Sequence, residues 1–348
     1  MCYSLSMTQI NNFKFNWPFF GNSHIIDFLQ TSIANNNLSH FYIFTGARDL
    51  GKSTIANYFV QSLLCDNFVK ETSELPCRKC SSCHQAQAGR HSDILQITKL
   101  ADKKNISIEQ VRPFIKMMNM GAFVGRYKVG IIKSADELST KAANALLKTL
   151  EETKKDTIII LMVDFLENLP YTIISRAQVL KFLPAKTGDI HDYLITQHKA
   201  GRAEAKSISR FSLGRPALAV KFLSDINFLQ KRKIIINLLL DIMASPLYKR
   251  FLLIDEIFKI ADKNCNQCAY AQEILLLWQI LTRDLMLKNI NAADLVAADD
   301  ILHKNKHFNI KINLCKLIDL NKHIEQGKRY LIANVQPRLV LENISFQS

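Results

Sequence analysis

Three cysteines stand at three-residue intervals in "LPCRKCSSC": Cys77, Cys80 and Cys83. Three thiolates leave a tetrahedral metal site one ligand short. Cys65 supplies a fourth and completes the spacing C-x11-C-x2-C-x2-C. Four thiolates close the coordination shell, so the expected ion is a structural Zn²⁺ with no open position for water. His84 and His91 are rival fourth ligands, although His84 adjoins Cys83 and chelates awkwardly from there. An iron–sulfur cluster is a further rival, because C-x2-C-x2-C also opens ferredoxin motifs. The Cys-Pro that such motifs carry downstream is missing. A second pair, Cys265 and Cys268, has C-x-x-C spacing in helical sequence and lies far from Cys315, so incidental thiols are expected there.

A second chemistry is written in "GARDLGKST", Gly46 to Thr54, which fits G-x-x-x-x-G-K-[ST]. Gly46 and Gly51 permit the tight turns that aim backbone N–H groups at phosphates, and the helix start that follows favours negative charge. In such a loop Lys52 reaches the terminal phosphates, and Ser53 touches Mg²⁺. Gly46, Gly51, Lys52, Ser53 and Thr54 are therefore the candidate ATP contacts. Hydrolysis needs a further acid at the end of a neighbouring strand to hold Mg²⁺. The best candidate strand, "KVGII", is followed by Lys133 and Ser134. Asp136 and Glu137 come later, in turn-like sequence, and replace the missing acid only if the strand extends to them. A lysine at the metal position repels Mg²⁺, so hydrolysis is expected to be lost. Whether nucleotide still binds is a separate question.

The elements that must position these groups read as strands alternating with helices. "HFYIFTG" (His40 to Gly46) is a strand running into a glycine turn, and "KSTIANYFVQSLLC" (Lys52 to Cys65) has helical spacing. "DILQI", "KVGII" and "TIIILMV" are short apolar runs with β-branched residues, and the segments Ile108 to Met120 and Ser139 to Glu152 are helical. This alternation implies a parallel sheet covered on both faces. Phe41, Tyr42 and Phe44 belong to strand packing rather than base stacking. Beyond about Pro184 come short helices with a break at Leu213-Gly214. From about Ser224 nearly everything is helical, with apolar stripes and polar backs. The layout is an α/β domain at 1–183 carrying the cysteine insertion at about 65–83, a small helical domain at 184–225 and a helical domain at 226–348.

Net charge is +14 over 348 residues. That suits a phosphate-rich partner or an acidic protein face, though a Lys-rich solvated surface carries the same sign. No run of about 18 apolar residues exists, so no membrane span is expected. The N-terminal stretch lacks a basic start leading into an apolar run. A cytoplasmic protein with reduced or metal-bound thiols is expected, starting at Met1 or Met7. No Ser/His/Asp or Cys/His catalytic pattern stands out.

The order of motifs is distinctive. A cysteine module inserted after the first helix of a phosphate-loop domain is followed by "AGRHSDILQI", "ISIEQVRPFIKMM", "NALLKTLEE" and "ISRA". In this order the chain resembles the delta-prime family of bacterial DNA polymerase III clamp-loader subunits, whose close relative is the tau/gamma motor subunit. The resemblance covers Phe20 to about Lys181 with specific motifs, and rests on helical layout beyond. It implies an α/β AAA+ phosphate-loop domain with an inserted zinc module, a small helical lid and an all-α C-terminal collar. Such subunits join tau/gamma and delta in a hetero-pentameric ring that loads the sliding clamp onto primed DNA. The family's zinc ligands correspond to Cys65, Cys77, Cys80 and Cys83. Its S-R-C motif corresponds to Ser175-Arg176-Ala177, which implies that Arg176 projects into a neighbouring subunit's ATP site. Arg215 in "SLGRPAL" corresponds to the sensor-like arginine of the lid. Lys133 and Ser134 replace a motor's acids, Thr153 replaces a proline after Glu151 and Glu152, and the chain stops where tau carries further domains. These departures favour a non-motor delta-prime subunit over an active, ATP-hydrolysing tau/gamma-like motor. A zinc-dependent nucleic-acid-binding protein is a further rival, disfavoured because no helix rich in basic base-readers accompanies the cysteines.

Overall fold

The structure, a computed structural model, describes residues 13–70, 74–100, 103, 105–151, 156–261, 266–292, 295–298, 313–333 and 335–347. Glu152, Thr153, Cys265 and both candidate starts, Met1 and Met7, lie outside them. The chain divides into two compact units, 1–185 with 215–217, and 186–214 with 218–348.

The first unit is built on a five-stranded parallel sheet with spatial order β4-β5-β6-β2-β7. Its strands are β2 (Phe41–Thr45), β4 (Ile94–Ile97), β5 (Lys128–Ile132), β6 (Thr157–Val163) and β7 (Gln178–Lys181). Strand β6 lies between β5 and β2, pairing Ile160 with Tyr42 on one side and with Ile131 on the other. Every residue of β2, β5 and β6 is buried, as expected where helices cover both faces.

The pleat sorts alternate residues into two cores. Tyr42, Phe44, Val129 and Ile160 face one cluster, together with Ile55 and Phe59 of α2 (Lys52–Leu64) and Ile25 of α1 (Ser23–Ala34). Phe41, Ile43, Ile159 and Leu161 face the other. There they meet Val111 and Phe114 of α4 (Ile108–Met118) and Leu146 of α5 (Thr140–Glu151). The aromatic run of β2 is thus packing. A glycine interrupts β5 because α4 comes close: a Cβ on Gly130 would stand 2.5 Å from the Phe114 ring. Ser139 caps α5 by accepting from the Ala142 N–H at 3.3 Å.

A two-stranded parallel pair, β1 (Lys14–Phe15) with β3 (Glu74–Leu75), fastens the cysteine insertion to the N-terminal segment. The insertion ends in α3 (Ser81–Gln87). The last helix of this unit's sheet region, α6 (Tyr171–Ile174), leads into β7.

The second unit is helical among the described residues. It holds α7 (Thr187–His198), α8 (Arg202–Phe211), most of α9 (Pro216–Ser224), α10 (Ile226–Ala244), α11 (Leu247–Ile260), α12 (Gln267–Asn289), α13 (Leu314–Ile332) and α14 (Pro337–Gln347). Leu213 and Gly214 both take positive φ and make the break between α8 and α9. Trp278, Leu275 and Ile274 of α12 and Leu317, Leu320 and Ile324 of α13 are buried. Asp284 is buried as well, and accepts from the Ala297 and Ala298 N–H groups at 3.0 and 2.9 Å. No described helix is long and apolar enough to cross a membrane.

Candidate functional site

The phosphate loop follows β2 and opens α2, as its sequence requires. Gly46 has φ 141° and Gly51 φ 92°, values that favour glycine. Each is also hemmed in. A Cβ on Gly46 would stand 2.7 Å from the Phe182 carbonyl oxygen, and one on Gly51 2.1 Å from the Phe19 ring.

A cavity of about 290 Å³ opens beside the loop, lined by Arg48, Gly51, Lys52, Ser53, Thr54 and, across from them, Lys133, Ser134, Met162 and Asp164. The structure therefore brings the predicted loop residues together with the two residues that follow β5. Strand β5 stops at Ile132, so it does not extend to the downstream acids. Asp136 and Glu137 sit on a single turn of 3₁₀ helix, Ala135–Glu137. Glu137 is engaged by Lys99 at 2.8 Å. Burial, and next the charge of Asp164, raise Asp136 above the usual carboxylate range, and its Oδ1 is buried without a hydrogen-bond partner.

Two acids line the cavity, Asp49 within the phosphate loop and Asp164, the residue that follows β6, which sequence reasoning missed. Asp164 Oδ1 accepts from Lys52 Nζ at 2.7 Å and its Oδ2 from Arg48 Nε at 2.8 Å. Lys52 Nζ also donates to the Ala47 carbonyl at 3.1 Å and to the Gly46 carbonyl. Ser53 Oγ faces the Met162 thioether at 3.5 Å. Residues 215–217 cluster with this unit. Burial lowers the Arg215 pKa, against the pull of Asp49 and Asp164. The signal that pointed to Asp164 was an acid directly after the apolar run "TIIILMV".

The four cysteines converge. Their sulfurs lie within 4.8 Å of one another and form a set that can hold a metal ion. Cys65 ends α2, and Cys80 caps α3, its sulfur accepting from the Cys83 N–H. The Cys77 N–H donates to the Cys65 sulfur at 3.5 Å. Cys77 and Cys83 sulfurs are 3.9 Å apart, against about 3.8 Å for the edge of a tetrahedron with Zn–S bonds of about 2.3 Å. The donor set thus fits a tetrahedral thiolate-binding ion. The hydrogen bond from Cys83 pushes the Cys65 thiol down to about 5, and the same bond with burial pushes Cys83 up. A divalent cation at the centre favours the thiolate form of all four. Neither rival histidine joins the set. His84 is exposed. His91 is buried and its Nδ1 accepts from the Asp93 N–H at 3.1 Å.

Arg176 follows α6. Its Nη1 donates to the Thr172 carbonyl at 2.6 Å and its Nη2 to Glu151 Oε1 at the end of α5. The Arg176 side chain stays about a third exposed, at 37%.

A parallel sheet with a glycine-lysine phosphate loop after β2, joined to a four-cysteine cluster, defines a phosphate-loop α/β protein. A family model described as "DNA polymerase III, delta subunit" matches residues 21–186. The delta' subunit of Bacillus subtilis (strain 168) is 26% identical over 320 residues, 92% of this chain and 94% of that one. The delta' subunit of Haemophilus influenzae is 31% identical over 194 residues, 56% of this chain and 58% of that one. The tau/gamma subunit of the same organism is 35% identical over 156 residues, 45% of this chain and 22% of that one. A solved DNA polymerase III gamma subunit-related protein of Thermotoga maritima is 18% identical, with TM-score 0.46 over 91% of this chain and 97% of that one. Residues 21–186, a little under half of the chain, are thus similar to clamp-loader subunits of DNA polymerase III, and the likeness to the Bacillus subtilis delta' subunit runs along most of the chain.

Proposed function

We propose that this chain is a non-motor clamp-loader subunit of the delta-prime kind, which joins tau/gamma and delta subunits in a hetero-pentameric ring and helps load the sliding clamp onto primed DNA. It works in the cytoplasm and lends Arg176 to a neighbour's ATP site. The observation that carries this reading is the pairing of a disarmed site with a retained arginine. Lys133 and Ser134 line the cavity where a motor needs Mg²⁺-binding acids, and Lys52 is engaged by Asp164. A cation at the metal position raises the energy of bound Mg²⁺ and with it that of the charge-dispersed transition state. Arg176, by contrast, serves nothing in its own phosphate loop. A guanidinium carries a permanent charge in a fixed fork that suits the oxygens of a transferring phosphoryl group.

In this reading Cys65, Cys77, Cys80 and Cys83 hold a structural Zn²⁺. The ion fixes the end of α2 to α3 and supplies no catalytic chemistry, because four thiolates leave it no open position.

The test is turnover. The isolated full chain is expected to hydrolyse ATP no faster than background, with or without primed DNA. Added to tau/gamma, delta and clamp, it is expected to stimulate the complex. Sustained hydrolysis by the isolated chain that Lys52→Ala abolishes would overturn the reading in favour of a motor.

A further inference from the structure

Lys52 has nothing left to give a phosphate. An ammonium has three N–H donors and no more. Here the Gly46 carbonyl, the Ala47 carbonyl and Asp164 Oδ1 take all three. The side chain is 9% exposed, so water offers little in exchange. The second oxygen of Asp164 is held by Arg48. One carboxylate thus bridges two cations of the phosphate loop, as a phosphate group would.

The geometry points to a specificity role for Asp164, resting on the non-motor reading above. We propose that Asp164 is a built-in counter-ion that satisfies the phosphate loop in place of a nucleotide, and so lowers the chain's affinity for nucleoside di- and triphosphates. The physical argument has two parts. An incoming phosphate must break a charge-assisted bond that is already made inside the protein, and such bonds are the stronger class. It must also sit beside a fixed carboxylate of its own sign, in a site where low exposure weakens screening. Asp49 also lines the cavity and adds to that repulsion. The glycine-lysine motif can therefore be intact in sequence and closed in chemistry.

Asparagine has nearly the shape of aspartate and keeps one oxygen for Lys52, but loses the charge. Titration calorimetry of the full chain with Mg-ADP tests the idea. Asp164→Asn is expected to bind ADP at least tenfold more tightly than wild type, which is about 1.4 kcal/mol. Adding Lys52→Ala is expected to remove the gain. Should Asp164→Asn fail to fold, Asp164→Thr carries the same expectation, with melting curves confirming the folded state. Equal affinity of wild type and the charge-free variant, or a gain that survives Lys52→Ala, overturns the inference. Tight ADP binding by wild type without turnover sinks this inference alone, whereas ATP turnover by wild type sinks the non-motor reading.

Discussion

Arg176 and Glu151 form an ion pair that ties the loop after α6 to the end of α5, at 2.5 Å. Both side chains are well exposed, 37% and 49%. A pair in that setting is worth roughly 0–1 kcal/mol. Breaking this pair therefore costs Arg176 little, as the trans role proposed for it requires. Arg176→Ala is expected to leave the chain folded and able to join its complex, with a melting-temperature change of a few degrees at most. The assembled complex is expected to lose hydrolysis at one site and to load clamps poorly. Arg176→Lys should rescue little, because an ammonium cannot engage two oxygens as a planar fork does. Full ATPase rate in a fully assembled Arg176→Ala complex would remove the proposed role.

The local parts of this site were legible in the sequence, and the assembled parts were not. "KVGII" and "TIIILMV" match β5 and β6 residue for residue. Buried parallel strands leave unbroken apolar runs, which no surface element imitates. The cysteine spacing and the glycine-lysine loop are equally local. Strand β7, "QVLK", escaped because a short edge strand with exposed polar residues gives no such run. Asp164 escaped for a different reason. Which strand flanks β2 is set by crossovers, and β6 rather than β5 takes that place. An acid was expected after β5, whereas the acid that reaches Lys52 directly follows β6. Glu151 was read as part of a helix motif, and its pairing with Arg176 depends on how α5 meets α6, which spacing does not encode.

The cysteine cluster separates ligation from capping at one residue. Cys80 accepts from the Cys83 N–H as the cap of α3, at 3.4 Å. Serine can keep that hydrogen bond, since it is a favoured cap residue. Its oxygen is a poor substitute for a thiolate on zinc. Cys80→Ser is therefore expected to keep α3 capped and still purify with far less than one Zn²⁺ per chain. Structural zinc binding is itself folding energy. The segment from Cys65 to Cys83 should accordingly exchange its amide hydrogens faster, with α12 and α13 unchanged. Metal analysis of wild type that returns iron, or no metal after chelator-free purification, would refute the zinc assignment.

Asp93 governs the loop after α4. It is fully buried, and its Oδ1 accepts from the Phe123 N–H at 2.6 Å. Its Oδ2 accepts from the Val124 and Gly125 N–H groups, both at 2.8 Å. Burial pushes its pKa up, but these three donors outweigh burial and hold it below the usual carboxylate range. Asparagine keeps one oxygen and turns an NH₂ toward N–H donors. Asp93→Asn is therefore expected to cost about 2–4 kcal/mol of unfolding free energy, since hydrogen bonds to a charged group are worth about 1.5–3 kcal/mol. The sign of the pH dependence follows from the lowered folded-state pKa. The stabilisation is present in full above the unfolded-state value of about 3.9, and is lost as pH falls through the lower folded-state value. Urea unfolding of wild type and Asp93→Asn should show a clear gap at pH 7 that narrows below about pH 4. Taking the difference cancels the acid response that both proteins share at the cysteines. A gap that stays constant into acid, or a variant as stable as wild type at pH 7, would show that the carboxylate charge does not hold this loop.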